Sequence, residues 1–234
     1  MNKLRIEEFI EELNLVMFPN YESIKDIFNV EYGYPELDPV RDEICKCIIS
    51  NLHQAAVTLT NHLVESSIKK CLALKHSIDD KQDDMKLEDA FKSGIEKYDK
   101  LELEDTINRA RTHGLITKEQ KKQLKKFKDE FRNPYSHATT AEIFKDTAIK
   151  GKSISLIEGE NPEELLARIF NDSSESLLQV KDILPIQGMV QVMIAKQISI
   201  PYFREVDSII RDMLSKIKAE PLTNAIANAG LRDR

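Results

Sequence analysis

The sequence predicts an all-α protein, a multi-helix bundle built around one long spine helix. Three observations carry this. Only 7 Gly and 8 Pro punctuate 234 residues, too few for the turns of a sandwich or barrel. Charged residues make up 32% beside 41% hydrophobic ones, a mix that suits amphipathic helices. Apolar side chains also recur at three- and four-residue intervals along most of the chain.

The elements follow in order. Ile6, Phe9, Ile10, Leu13 and Met17 share one helical face, and Pro19 is expected to end that helix. Residues 19–38 hold Tyr21, Phe28, Tyr32 and Tyr34 with Gly33 and Pro35. They read as an irregular arm packed on the main body, so residues 1–38 form a first unit and 39–234 the helical domain. Asp38 as N-cap and Pro39 at the first helical position open the spine helix. Its apolar stripe runs through Ile44, Ile48, Leu52, Ala55, Leu59, Leu63, Ile68 and Leu72. No Gly or Pro interrupts it before Lys75, which gives a span of roughly 55 Å.

His76 to Asp84 is polar and reads as an exposed loop. Leu87, Phe91, Ile95 and Tyr98 mark a helix over 86–98. A further helix runs from about Glu102 to His113 and is capped by Gly114. Thr117 and Gln120 have the spacing of a capping box, and the helix they open carries Leu124, Phe127 and Phe131. Ala141 to Ala148 suits one or two helical turns. Ser153 to Ile157 suits a short extended piece, and Asn161-Pro162-Glu163-Glu164 a helix start. The last long helix is expected over Ile186 to Lys218, kinked at Pro201, with a frayed tail from Ala219 onward.

Net charge is −6 and the pI about 5.5, so bulk charge does not draw this chain to nucleic acid. The 3 cysteines, Cys45, Cys47 and Cys71, form no disulfide framework. The N-terminus lacks the pattern of a signal peptide. No apolar run approaches the roughly 18 residues of a membrane span, so the expected location is the cytoplasm. Gly-rich phosphate loops and a nucleophile elbow are both missing. His62 and Glu65 have metal-ligand spacing, but the second pair that a di-metal site needs is not found. No metal and no cofactor are therefore expected.

One stretch stands apart: Phe131-Arg132-Asn133-Pro134-Tyr135-Ser136-His137. Pro134 is expected to end or kink the preceding helix at Asn133. That helix holds Lys118, Lys121, Lys122, Lys125, Lys126 and Lys128, six cations within eleven residues. An arginine binds phosphate oxygens bidentately. A histidine takes or gives a proton near neutral pH. Together they can cleave a phosphodiester that carries a neighbouring 2′-OH, without a metal. Asn133 can orient the phosphate or the imidazole. Lys121, Lys122, Lys125, Lys126 and Lys128 can hold the flanking RNA. Glu65 on the spine helix is a candidate partner for Arg132, and Tyr135 and Ser136 are supporting polar groups.

Arg-Asn-x-x-x-His at a helix end in an all-α domain resembles the signature of the HEPN superfamily (higher eukaryotes and prokaryotes nucleotide-binding domains). Arg132, Asn133 and His137 match it position by position, and the resemblance covers roughly residues 40–218. It implies a HEPN-like bundle and, for many members, a metal-independent endoribonuclease. Such enzymes act as dimers, with two motifs meeting in one cleft, in toxin–antitoxin pairs, antiviral defence and RNA processing. The resemblance therefore makes Arg132 and His137 catalytic, with Asn133 in support. An RNA substrate, a homodimer and an antitoxin or defence partner follow as expectations. The alternative it leaves open is a catalytically silent module that binds a partner protein or a nucleotide.

Overall fold

A computed structural model describes residues 3–79, 86–137, 140–151 and 176–217. The protein is an all-α multi-helix bundle with a single two-stranded sheet among the described residues. Its helices are α1 (Lys3–Phe28), α2 (Asp38–Ile49), α3 (His53–Asp79), α4 (Leu87–Tyr98), α5 (Leu103–Thr112) and α6 (Lys118–Phe127). A π-helical turn over Lys128–Arg132 then runs directly into α7 (Asn133–His137), followed by α8 (Thr140–Phe144). Strands β1 (Ala148–Gly151) and β2 (Ser176–Gln179) pair antiparallel, Ala148 opposite Gln179 and Gly151 opposite Ser176. A 3-10 turn at Val180–Asp182 leads into α9 (Leu184–Ser215).

Helix α3 is the hub, packed by α9, α4, α2 and α5. Its buried positions, Val57, Leu63, Val64, Ile68 and Leu72 among them, recur at helical spacing and face the main core. Each such side chain contributes roughly 1.5–3 kcal/mol through its removal from water. A second, smaller cluster of Phe144, Val180 and Val190 holds the hairpin against α8 and the first half of α9.

The structure corrects four expectations. The spine is two helices, not one. Asn51 adopts φ +61°, a left-handed conformation that asparagine tolerates, and the chain breaks between α2 and α3. The break is locked by His53, whose ring contacts Asn51 Oδ1 at 3.0 Å and Ser199 Oγ at 2.8 Å. Second, α1 continues through Pro19 to Phe28, so the first half of the supposed arm is helical. Pro19 and Pro201 both lie inside helices with exposed side chains, and on a solvent face water can take the carbonyl that proline leaves unpaired. Third, α3 extends to Asp79, replacing the first part of the expected loop after His76. Fourth, Asp38 is the first helical residue rather than the cap. Its carboxylate turns backwards and accepts from the N–H groups of Tyr32 (2.7 Å) and Tyr34 (2.9 Å).

The helices over 86–98, 102–113 and 117–127 form as read. Gly114 takes φ +73° after α5, and Thr117 and Gln120 make both bonds of the capping box. Ser153–Ile157, the helix start at Asn161 and the tail from Ala219 lie outside the described residues.

Residues 20–38 join the core. Ile24 and Ile27 are buried against the bundle. Arg41 on α2 pairs with Asp207 on α9 at 3.0 Å, with side chains only 3% and 7% exposed, and donates to the Ile27 carbonyl. Arg211 completes the network, reaching Asp207 at 2.7 Å and the carbonyls of Val30 and Glu31. The Tyr32 ring lies 5.3 Å from one guanidinium and 5.0 Å from the other. The first half of α1 differs: Phe9 and Leu15 are 57% and 75% exposed. Among the described residues, no helix is long and apolar enough to cross a membrane.

Candidate functional site at the π-turn

The approach to Arg132 is set by aromatic packing. Phe127 and Phe131 stack with centroids 5.8 Å apart, and both lean on Tyr202 of α9 at 4.9 and 4.6 Å. These contacts fix the turn against the bundle. The proline was expected to end or kink the helix at Asn133, but the chain stays helical through that residue. Asn133 is itself helical (φ −64°, ψ −51°), and its N–H reaches back five residues to the Lys128 carbonyl. A proline inside an α-helix removes one bond and strikes the carbonyl four residues earlier. Widening the preceding turn to π geometry makes room for the ring, and such turns recur at functional sites. Pro134 is then buried.

Arg132 leaves this widened turn with its side chain 32% exposed. One terminal nitrogen, Nη2, lies 3.5 Å from Glu65 Oε2, and Nη1 lies 3.4 Å from Asn133 Oδ1. Both contacts are long for a charge-assisted bond. Glu65 is held from its other oxygen by Lys69 at 3.1 Å. The sequence-predicted residues Arg132, Asn133 and Glu65 are therefore brought together. Tyr135 packs its ring on the main core, and its hydroxyl is buried with no partner among the described residues. Burial raises the pKa of that phenol. His137 lies on the backbone of α7, about 7.5 Å further along the helix than Arg132. Its side chain and that of Ser136 lie outside what is described.

Sequence reasoning missed Asn61. This buried side chain accepts from Tyr202 Oη at 2.8 Å, and its amide lies 3.5 Å from the Phe131 carbonyl. It fastens the π-turn to α3. The signal was present: Asn61, Glu65 and Lys69 repeat every four residues, so they line one helix face.

The lysines divide. Lys125 and Lys128 both bind Glu104 of α5, Lys128 at 2.7 Å. These two ammonium groups hold the Glu104 carboxyl down at about 2. Lys126 lies 3.8 Å from Glu130. Lys121 and Lys122 have no ion pair among the described residues. The basic face expected from α6 thus narrows to its first half.

A scan against family models, a search of curated proteins and a search of solved structures each return no match. Chemistry at this site is therefore argued from the residues themselves. Among the described residues no cluster of three or more His, Cys, Asp or Glu could hold a metal. Cys71 is buried and its thiol pushed up to about 12, while burial lifts Cys45 to about 11. Neither is poised as a nucleophile at neutral pH.

Proposed function

We propose that this chain is a HEPN-like endoribonuclease that cleaves RNA through attack of the 2′-hydroxyl on the adjacent phosphorus. The observation that carries the reading is the state of Arg132. Its side chain is about one-third exposed, and both contacts that hold it are long. A phosphate can displace a loose carboxylate partner and take both terminal nitrogens. His137, in the motif Arg132-Asn133-x-x-x-His137, takes the 2′-hydroxyl proton. The 2′-oxygen bonds to phosphorus and the 5′-oxygen leaves with a proton, giving a 2′,3′-cyclic phosphate. Two protomers whose motifs face each other supply one imidazole as base and one as acid. Asn133 orients the phosphate or the imidazole, and Lys121 and Lys122 bind flanking RNA. By resemblance the setting is a cytoplasmic toxin or antiviral defence system with an inhibiting partner.

A second reading has an observation of its own. Glu65 lies beside Arg132, and Glu104 neutralises Lys125 and Lys128. That arrangement favours a silent module that binds a protein or nucleotide. One experiment separates the two. Labelled total RNA is incubated in EDTA with the wild type and with an Arg132→Ala/His137→Ala variant. Cleavage by the wild type alone, leaving cyclic phosphate ends, supports the nuclease. Intact RNA with both, across transfer, messenger and structured RNAs, sinks it in favour of the module.

A further inference from the structure

A second cationic cluster lies away from Arg132, around the Tyr98 ring where α3, α4 and α5 meet. Tyr98 is buried. Lys97 Nζ lies 5.6 Å from its ring centroid and the Arg109 guanidinium 6.0 Å. The imidazoles of His76 and His113 approach edge-on at 5.9 and 6.4 Å. Lys97 Nζ is also 3.4 Å from His76 Nδ1, and Tyr98 Oη is 3.4 Å from His113 Nε2.

The partners at this cluster differ from those of the paired cations. Lys25, Lys46, Lys69, Lys75, Arg204 and Lys216 are each tied to a carboxylate. Around Tyr98 the attraction comes from the ring quadrupole. Among the described residues, neither Lys97, Arg109 nor His113 has a carboxylate partner. Asp105, one turn before Arg109 on α5, makes no ion pair with it. A π-face neutralises no charge and uses no N–H donor. Lys97, Arg109 and His113 are moreover exposed. Two permanent cations, Lys97 and Arg109, thus lie within 6.0 Å of one ring centroid on exposed side chains, in a chain whose net charge is −6.

The position relative to the first site matters as well. Glu104 at the start of α5 carries Lys125 and Lys128, next to the π-turn. Arg109 lies in the last turn of the same helix and His113 just after its end, and its ten residues span roughly 15 Å. Lys121 and Lys122 lie on α6, the neighbour of α5.

We propose that Lys97, Arg109 and His113 form a phosphate-binding exosite for single-stranded RNA, gripping the backbone of a strand whose scissile phosphate lies at Arg132. This extends the ribonuclease reading and names where its substrate is held. The test uses the full chain and a fluorescent 2′-O-methyl RNA 15-mer, which binds but lacks the attacking hydroxyl. Anisotropy titrations compare the wild type with Lys97→Gln/Arg109→Gln, and with Lys25→Gln/Lys46→Gln as a control of equal charge change. The expected result is a loss of affinity of about tenfold or more for the first variant, with a salt slope shallower by about 2. The control should bind as the wild type. Equal losses in both variants, an unchanged slope, or no binding by the wild type would overturn the exosite. If the 15-mer binds through Lys97 and Arg109 but total RNA is never cut, the exosite stands and the nuclease reading falls.

Discussion

Two arginines of this protein each meet a carboxylate across helices, and they are opposites. Arg41 and Asp207 are almost fully buried at 3.0 Å, with Arg211 as a second partner of Asp207 and the Ile27 carbonyl as a second partner of Arg41. Arg132 and Glu65 are about one-third exposed at 3.5 Å. The first arrangement turns Arg41 inward onto Asp207 and the Ile27 carbonyl and clamps residues 20–38 and α2 to α9. The second leaves donors for something else. A buried charge demands complete satisfaction because desolvation is costly. A partly exposed one keeps water as an alternative partner, so a ligand can compete for it.

The largest expected effect falls on the closed pair. Asp207→Ala leaves Arg41 buried without its counter-charge and should cost roughly 3–5 kcal/mol in urea unfolding. A loss under 1 kcal/mol would show that the network is not the clamp described. Arg132→Ala should behave in the reverse way. Its unfolding free energy should change by no more than about 1 kcal/mol, while RNA cleavage falls by about 10²–10³-fold. Equal stability costs for Arg41→Ala and Arg132→Ala would erase the contrast between the two arginines.

Asn61→Ala sharpens the picture between these extremes. It removes the partner of the buried Tyr202 hydroxyl and loosens the π-turn, at an expected cost of about 1–3 kcal/mol. If thermal unfolding is unaffected, the turn is held by Phe127 and Phe131 alone.

A pH series gives the smallest effects. His53 has its pKa lowered by burial and by Lys196, so the unfolded chain takes up that proton at a higher pH than the folded one. Stability should therefore begin to fall as pH drops below about 6.5. His53→Gln should remove that phase. Glu104 and Asp26, each held at about 2 by cations, bind protons more readily when unfolded. Their contribution should persist down to about pH 4.5 and vanish between there and about 2.

Much of this was legible in the chain. The capping box at Thr117, the cap at Gly114 and the stripes of α4 to α6 are local signals, set by hydrogen bonds and side chains within a few residues. The break at Asn51 was not legible, because neither Gly nor Pro marks it. The conformation is selected by the contact of His53 with Ser199, far away in sequence. Proline misled in two places. Pro19 and Pro134 each sit inside helical chain, whereas Pro201 lies within the last long helix as expected. One of the two faces solvent and the other follows a widened turn, and neither circumstance is written in the local sequence.

The sequence by itself determined the all-α class, most of the helix boundaries and the stretch Arg132 to His137, since periodicity, caps and a motif are all short-range properties. Tertiary structure alone decided which charges are closed and which remain open. Glu104 removes two lysines of the expected basic face, Glu65 lies beside Arg132, and Tyr98 gathers the cations Lys97 of α4 and Arg109 of α5. Electrostatic character depends on distance and burial across elements, and those quantities exist only once the helices have packed.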